Sequence, residues 1–88
     1  MPLISYFFGI RIRMFWDDHS PPHFHAFYQG IEATFSIESG EKIRGTNFPK
    51  NAERIVSDWA KKHKDELSNN WELLENKGHP NRIQGADQ

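Results

Sequence analysis

Asp17-Asp18-His19-Ser20-Pro21-Pro22-His23-Phe24-His25 gathers three of the chain's five histidines beside two carboxylates and two prolines. Imidazoles trade protons near neutrality and, when neutral, ligate metals. Asp-Asp followed by Pro-Pro is turn chemistry: aspartates accept from nearby backbone amides, and each proline fixes φ and pushes its predecessor toward extended geometry. Residues 17 to 22 therefore read as a stiff loop. From His23 the run His-Phe-His-Ala-Phe-Tyr favours a strand, in which residues i and i+2 share a face. His23 and His25 then point the same way, with Cα atoms roughly 6 to 7 Å apart.

Two chemistries suit such a block. In the first, no cofactor is needed. His23 or His25 acts as general acid or base, Arg11 and Arg13 clamp a phosphate, and Glu32 orients an imidazole, as in ribonuclease-like phosphodiester cleavage. In the second, His23 and His25 bind one divalent transition metal with a third ligand from the loop, His19, or Asp17 or Asp18 in its place. Two fixed arginine charges on the neighbouring strand oppose that cation. The plainest alternative to both is a solvated polar sheet face laced with weak cross-strand contacts. Of the other histidines, His63 falls near an expected helix end and His79 in the C-terminal tail. No nucleophile elbow, P-loop, dinucleotide fingerprint or HExxH motif is present.

The elements that must position these residues follow from hydrophobic period. Residues 3 to 8 are apolar and aromatic up to Gly9, which suggests a first strand or arm ending in a bulge or bend. Residues 10 to 16 alternate, with Ile10, Ile12, Met14 and Trp16 on one face and Arg11, Arg13 and Phe15 on the other. A strand over 23 to 29 leads into Gln29-Gly30, a tight turn. Ile31, Ala33, Phe35 and Ile37 then alternate with polar residues, and Glu41 to Gly45 gives a short edge strand. Asn47-Phe48-Pro49 reads as a helix start. Ala52, Ile55, Val56, Trp59 and Ala60 form one helical stripe that continues through His63, Leu67, Trp71 and Leu74. Lys61, Lys62 and Lys64 suit a helix end and Asp65 and Glu66 a helix start, so two helices with a break near 63 to 65 are expected, with one long kinked helix as the alternative. The fold class is α+β: an antiparallel meander of about four strands with two C-terminal helices packed on one face, ββββαα. Alternation then gathers Arg11, Arg13, His23, His25, Glu32 and Thr34 on the open face. Residues 1–76 read as a single domain and 77–88 as a flexible, frayed tail.

Composition narrows the classes further. With 88 residues and no cysteine, the chain makes one core without disulfides or thiolate metal sites. The first eight residues lack a basic flank, and no apolar run approaches a membrane span, so a cytoplasmic protein is expected. A net charge of −1 gives no overall pull on nucleic acid. Lys64-Asp65-Glu66-Leu67 is internal and so is no retrieval signal.

Pro2, Ile4-Ser5, Phe7-Phe8-Gly9-Ile10, Ile12-Arg13-Met14, the Asp18-His19 to His25 block, Trp59, His63, Glu66-Leu67 and Asn70-Trp71-Glu72 resemble the short bacterial proteins of domain-of-unknown-function family 4160. The resemblance covers about residues 2 to 76. It implies a free-standing small protein encoded beside another short protein, an arrangement similar to a toxin and antitoxin pair. The expected function is thus a partner-dependent component of a two-gene module, docking through the Arg/His-bearing open face. The neighbour's product is the expected partner, with self-association and RNA as further possibilities. The resemblance supplies no catalytic residues. The polar Thr46-Asn47-Phe48 approach to the first helix and the extended tail depart from the usual pattern.

Overall fold

Two hairpins with two-residue turns start the sheet. In the computed structural model, which describes residues 2–88, Phe8-Gly9 (φ 51° and 78°) and Gln29-Gly30 (φ 50° and 80°) are left-handed at both central positions. That geometry matches the natural twist of paired strands. Gly9 thus makes a tight turn in place of the expected bulge or bend.

These turns join strand β1 (Leu3–Phe7) to β2 (Ile10–Arg13) and β3 (His23–Tyr28) to β4 (Ile31–Ser36). With β5 (Lys42–Arg44), they form one antiparallel sheet in the order β1-β2-β3-β4-β5. The meander has one strand more than the four or so expected. Strand β2 stops at Arg13, short of Trp16. Met14 still donates to the Pro2 carbonyl at 3.2 Å, after which the chain leaves the ladder.

The register settles which side chains share a face. Ile12 pairs with Ala26 and Ala26 with Ala33, and all three are buried. Arg13 pairs with His25 and His25 with Thr34, so this row faces the open side. Helices α1 (Lys50–Lys62) and α2 (Lys64–Glu75) cover the apolar face. They break at His63, where basic Lys61 and Lys62 close α1 and acidic Asp65 and Glu66 lie in the first turn of α2, as the helix dipoles favour, although Lys64, expected at a helix end, is the first residue of α2. Phe24 stacks on Phe35 at 5.4 Å and meets the edge of Trp59 at 5.7 Å, which also touches Phe7 at 5.1 Å. These rings form the centre of the core.

The segment beyond Lys77, expected to fray, is instead anchored to the fold at Ile83 and Gly85. Ile83 is buried, donates its N–H to the Ile4 carbonyl at 2.8 Å, and accepts from the Ser5 hydroxyl at 2.8 Å. Asn70 and Asn81 exchange two hydrogen bonds at 2.9 and 2.8 Å, and the Trp59 indole donates to the Gln84 carbonyl at 2.7 Å. The physical reason lies in β1. As a sheet edge it presents unpaired backbone groups and apolar side chains, and the last segment supplies partners for both. Among the described residues no buried side-chain nitrogen or oxygen lacks a hydrogen bond.

Candidate metal centre

Strand β3 places His23 and His25 on the open face two residues apart, and their rings meet edge to face at 5.1 Å. The loop before it returns Asp18 to the same spot. Asp17 adopts φ +62°, a conformation aspartate tolerates better than most residues. The Trp16 indole N–H anchors the loop to the Gly78 carbonyl at 2.9 Å.

One oxygen of Asp18 is the centre of the cluster. Oδ2 lies 2.9 Å from Nε2 of His23 and 3.0 Å from Nε2 of His25. Oδ1 accepts from the His19 backbone amide at 3.3 Å. The outer ring nitrogens are also held. Nδ1 of His23 lies 2.7 Å from the Pro21 carbonyl, and Nδ1 of His25 lies 3.0 Å from Oε2 of Glu32. A carbonyl and a carboxylate only accept, so each Nδ1 carries hydrogen. Phe15 packs against the His25 ring at 4.5 Å and Trp71 against the His23 ring at 5.3 Å. The three polar side chains are consequently only 12%, 14% and 22% exposed.

With both Nδ1 atoms protonated, the inner nitrogens have two states. Each Nε2 either carries a second proton and donates to Asp18 or presents a lone pair. Lone pairs on both give the usual arrangement of metal-binding histidine, whose outer N–H is fixed by a carboxylate or carbonyl. Asp18, His23 and His25 are the only described residues whose ligand atoms converge in this way, all within 4.8 Å of one another.

Burial pushes the Asp18 carboxyl up, but the His25 hydrogen bond, the charges of His23 and His25 and the His19 amide outweigh it. The group is held below its ordinary value. Asp18 is therefore the anion of the cluster.

The other expected site residues lie around this centre. The exposed His19 contributes its backbone, and of the three loop residues expected to supply a third group, His19, Asp17 and Asp18, it is Asp18 that converges with His23 and His25. A carboxylate accepts from two rings and an amide at once, which a single imidazole cannot do. Glu32 stands diagonally across the strand pair, where it orients His25. Arg13 lies opposite His25 in the register. Arg11 lies one pair further along, opposite Phe27, with its guanidinium 5.9 Å from the centre of the Tyr6 ring. His63 pairs with Glu66 and His79 meets Trp16 edge to face, both outside the cluster. Phe15 and Trp71, whose pattern reads as strand and core, are also walls of the site.

Residues 9–72 match the family model described as a domain of unknown function, DUF4160. The chain belongs to the DUF4160 family. The matched region holds Asp18, His23, His25 and Glu32 and leaves out β1 and the packed C-terminal segment. No curated protein and no solved structure matches this DUF4160 chain. None of its described helices is long and apolar enough to cross a membrane.

Proposed function

We propose that this DUF4160 protein binds one divalent transition metal through Oδ2 of Asp18 and Nε2 of His23 and His25. The observation that carries the reading is the convergence of three ligand atoms at 2.9 and 3.0 Å while both outer ring nitrogens are occupied by acceptors. Held by two histidines and one carboxylate, such an ion would keep positions open to other ligands. When bound, such an ion supplies Lewis-acid polarisation of an oxygen ligand. The chain's own residues do the rest. Pro21 and Glu32 fix the tautomers, Phe15 and Trp71 keep water from the ring faces, and the Asp18 and Glu32 charges offset Arg13.

Metal-independent RNA cleavage by the same histidines has less support, because all four ring nitrogens are already engaged. Elemental analysis of untagged protein dialysed against cobalt, nickel, manganese and zinc tests the proposal. One ion per chain is expected in the wild type and in His19→Ala, and loss of the ion in Asp18→Ala and in His23→Ala/His25→Ala. Substoichiometric metal in a wild type with native circular dichroism would refute it.

A second reading, a component that docks on a partner within a two-gene module, is supported by the exposure of Tyr6 and Phe8, at 54% and 58%. Aromatic side chains are enriched at interfaces. Light scattering of the protein alone and mixed with the neighbouring gene's product tests it. A strict monomer in both samples counts against docking.

A further inference from the structure

We infer that the groove beside the proposed metal centre binds a small organic anion, a carboxylate or phosphate ester with an apolar body, between the ion and Arg44. The inference rests on the metal-binding reading above. A groove of about 270 Å³ runs from Asp18, His23 and His25 past Thr34 to Arg44, with Pro21 and Ile43 along its side. Its size is near the lower end of small-ligand sites. The register explains why Arg44 reaches it. Arg13, His25, Thr34 and Arg44 form one row across β2 to β5, with about 4.8 Å between neighbouring strands.

Arg44 differs from Lys42 on the same strand and from Lys61. Lys42 pairs with Glu53 at 3.2 Å and Lys61 with Glu41 at 2.8 Å. Arg44 is exposed and, among the described residues, has no hydrogen bond or ion pair. An unpaired guanidinium at one end of a groove and a divalent ion at the other repel each other across it. An anion between them relieves that repulsion, with oxygens on the open metal positions and on the guanidinium fork. The side wall adds a preference. Ile43 is 49% exposed in a strand residue of a small domain, and with Pro21 it gives an apolar ligand body a surface to cover. Thr34, on the groove floor, places a hydroxyl between the two charged ends.

The test uses the whole protein loaded with cobalt(II), whose visible absorption reports its ligands. Phenyl phosphate and benzoate are titrated in, with neutral benzamide as control. A saturable spectral change with at least one of the two anions and none with benzamide is expected. A response to only one of them assigns the source as phosphate ester or carboxylate. In Arg44→Ala the dissociation constant of the active anion rises about 10-fold to 100-fold, as expected for loss of a charge-assisted hydrogen-bond pair. Its cobalt affinity stays unchanged. Cobalt uptake with no anion response, an equal response to benzamide, or equal anion affinity in Arg44→Ala overturns this inference alone. Absence of cobalt uptake by the wild type overturns it together with the metal centre.

Discussion

Ile83→Ala tests whether the last dozen residues belong to the fold. Ile83 is 4% exposed and sits among β1 and the helices. The substitution removes three carbons, worth about 2.5 kcal/mol at about 0.8 kcal/mol each. A cavity term adds to this, and relaxation of an edge segment subtracts from it, which leaves about 2 to 3 kcal/mol within the range seen for such truncations. For a domain of this size that lowers the melting temperature by about 10 to 20 °C. Urea titration followed by far-ultraviolet circular dichroism reads the change as a lower midpoint at constant slope. Ile43→Ala is the control: at 49% exposure it should shift stability by no more than about 0.5 kcal/mol. Equal midpoints for the two variants would show that residues beyond Lys77 contribute nothing, and the packing argument would fail.

Three further outcomes follow from the same geometry. Gly45→Ala should destabilise by about 2 kcal/mol or more, because φ is +113° and a Cβ would lie 2.7 Å from the Ala33 Cβ; Gly30→Ala, with nothing within 4 Å, should cost less in the same urea titration. Glu32→Gln should weaken cobalt binding about 10-fold or more by equilibrium dialysis, as loss of a ligand-orienting carboxylate does, whereas an unchanged affinity would show that Glu32 does not fix the His25 tautomer. In metal-free protein the lowered Asp18 pKa contributes stability above the ordinary carboxyl value of about 3.9, and this is lost as pH falls through the folded value. The stability gap between wild type and Asp18→Asn should therefore narrow on acidification in that window; a gap that widens would contradict the assignment of Asp18 as the cluster's anion.

Period-two alternation made most of the sheet readable in advance. Ile10, Ile12, Ala33 and Phe35 could face only one covered side, so Arg13, His23, His25 and Thr34 had to share the other. The helix break at His63 was readable from the reversal of charge sign around it. The third member of the cluster was not, because Asp17, Asp18 and His19 are adjacent and only the loop's backbone, with its left-handed Asp17, decides which one reaches the rings. The C-terminal segment was hidden for a different reason. Ile83 is a single apolar residue among polar neighbours and glycines, and one residue has no period. Its partners, Ile4, Ser5, Trp59 and Asn70, lie far away along the chain. Arg44 was similarly obscure: nothing in Lys42-Ile43-Arg44 marks which of its two cations pairs with a carboxylate and which does not.

The contact between Ile4 and Ile83 also bears on how the molecule is made. A backbone hydrogen bond across 79 positions closes almost the whole chain into a loop, and such a closure cannot form early from local encounters. Until Ile83 has been synthesised, β1 has an open edge and the Trp59 indole lacks the Gln84 carbonyl. A chain cut short before Ile83 would therefore keep the β1 edge open, and that form, rather than the full-length fold, would be the one most open to strand pairing with its own copies.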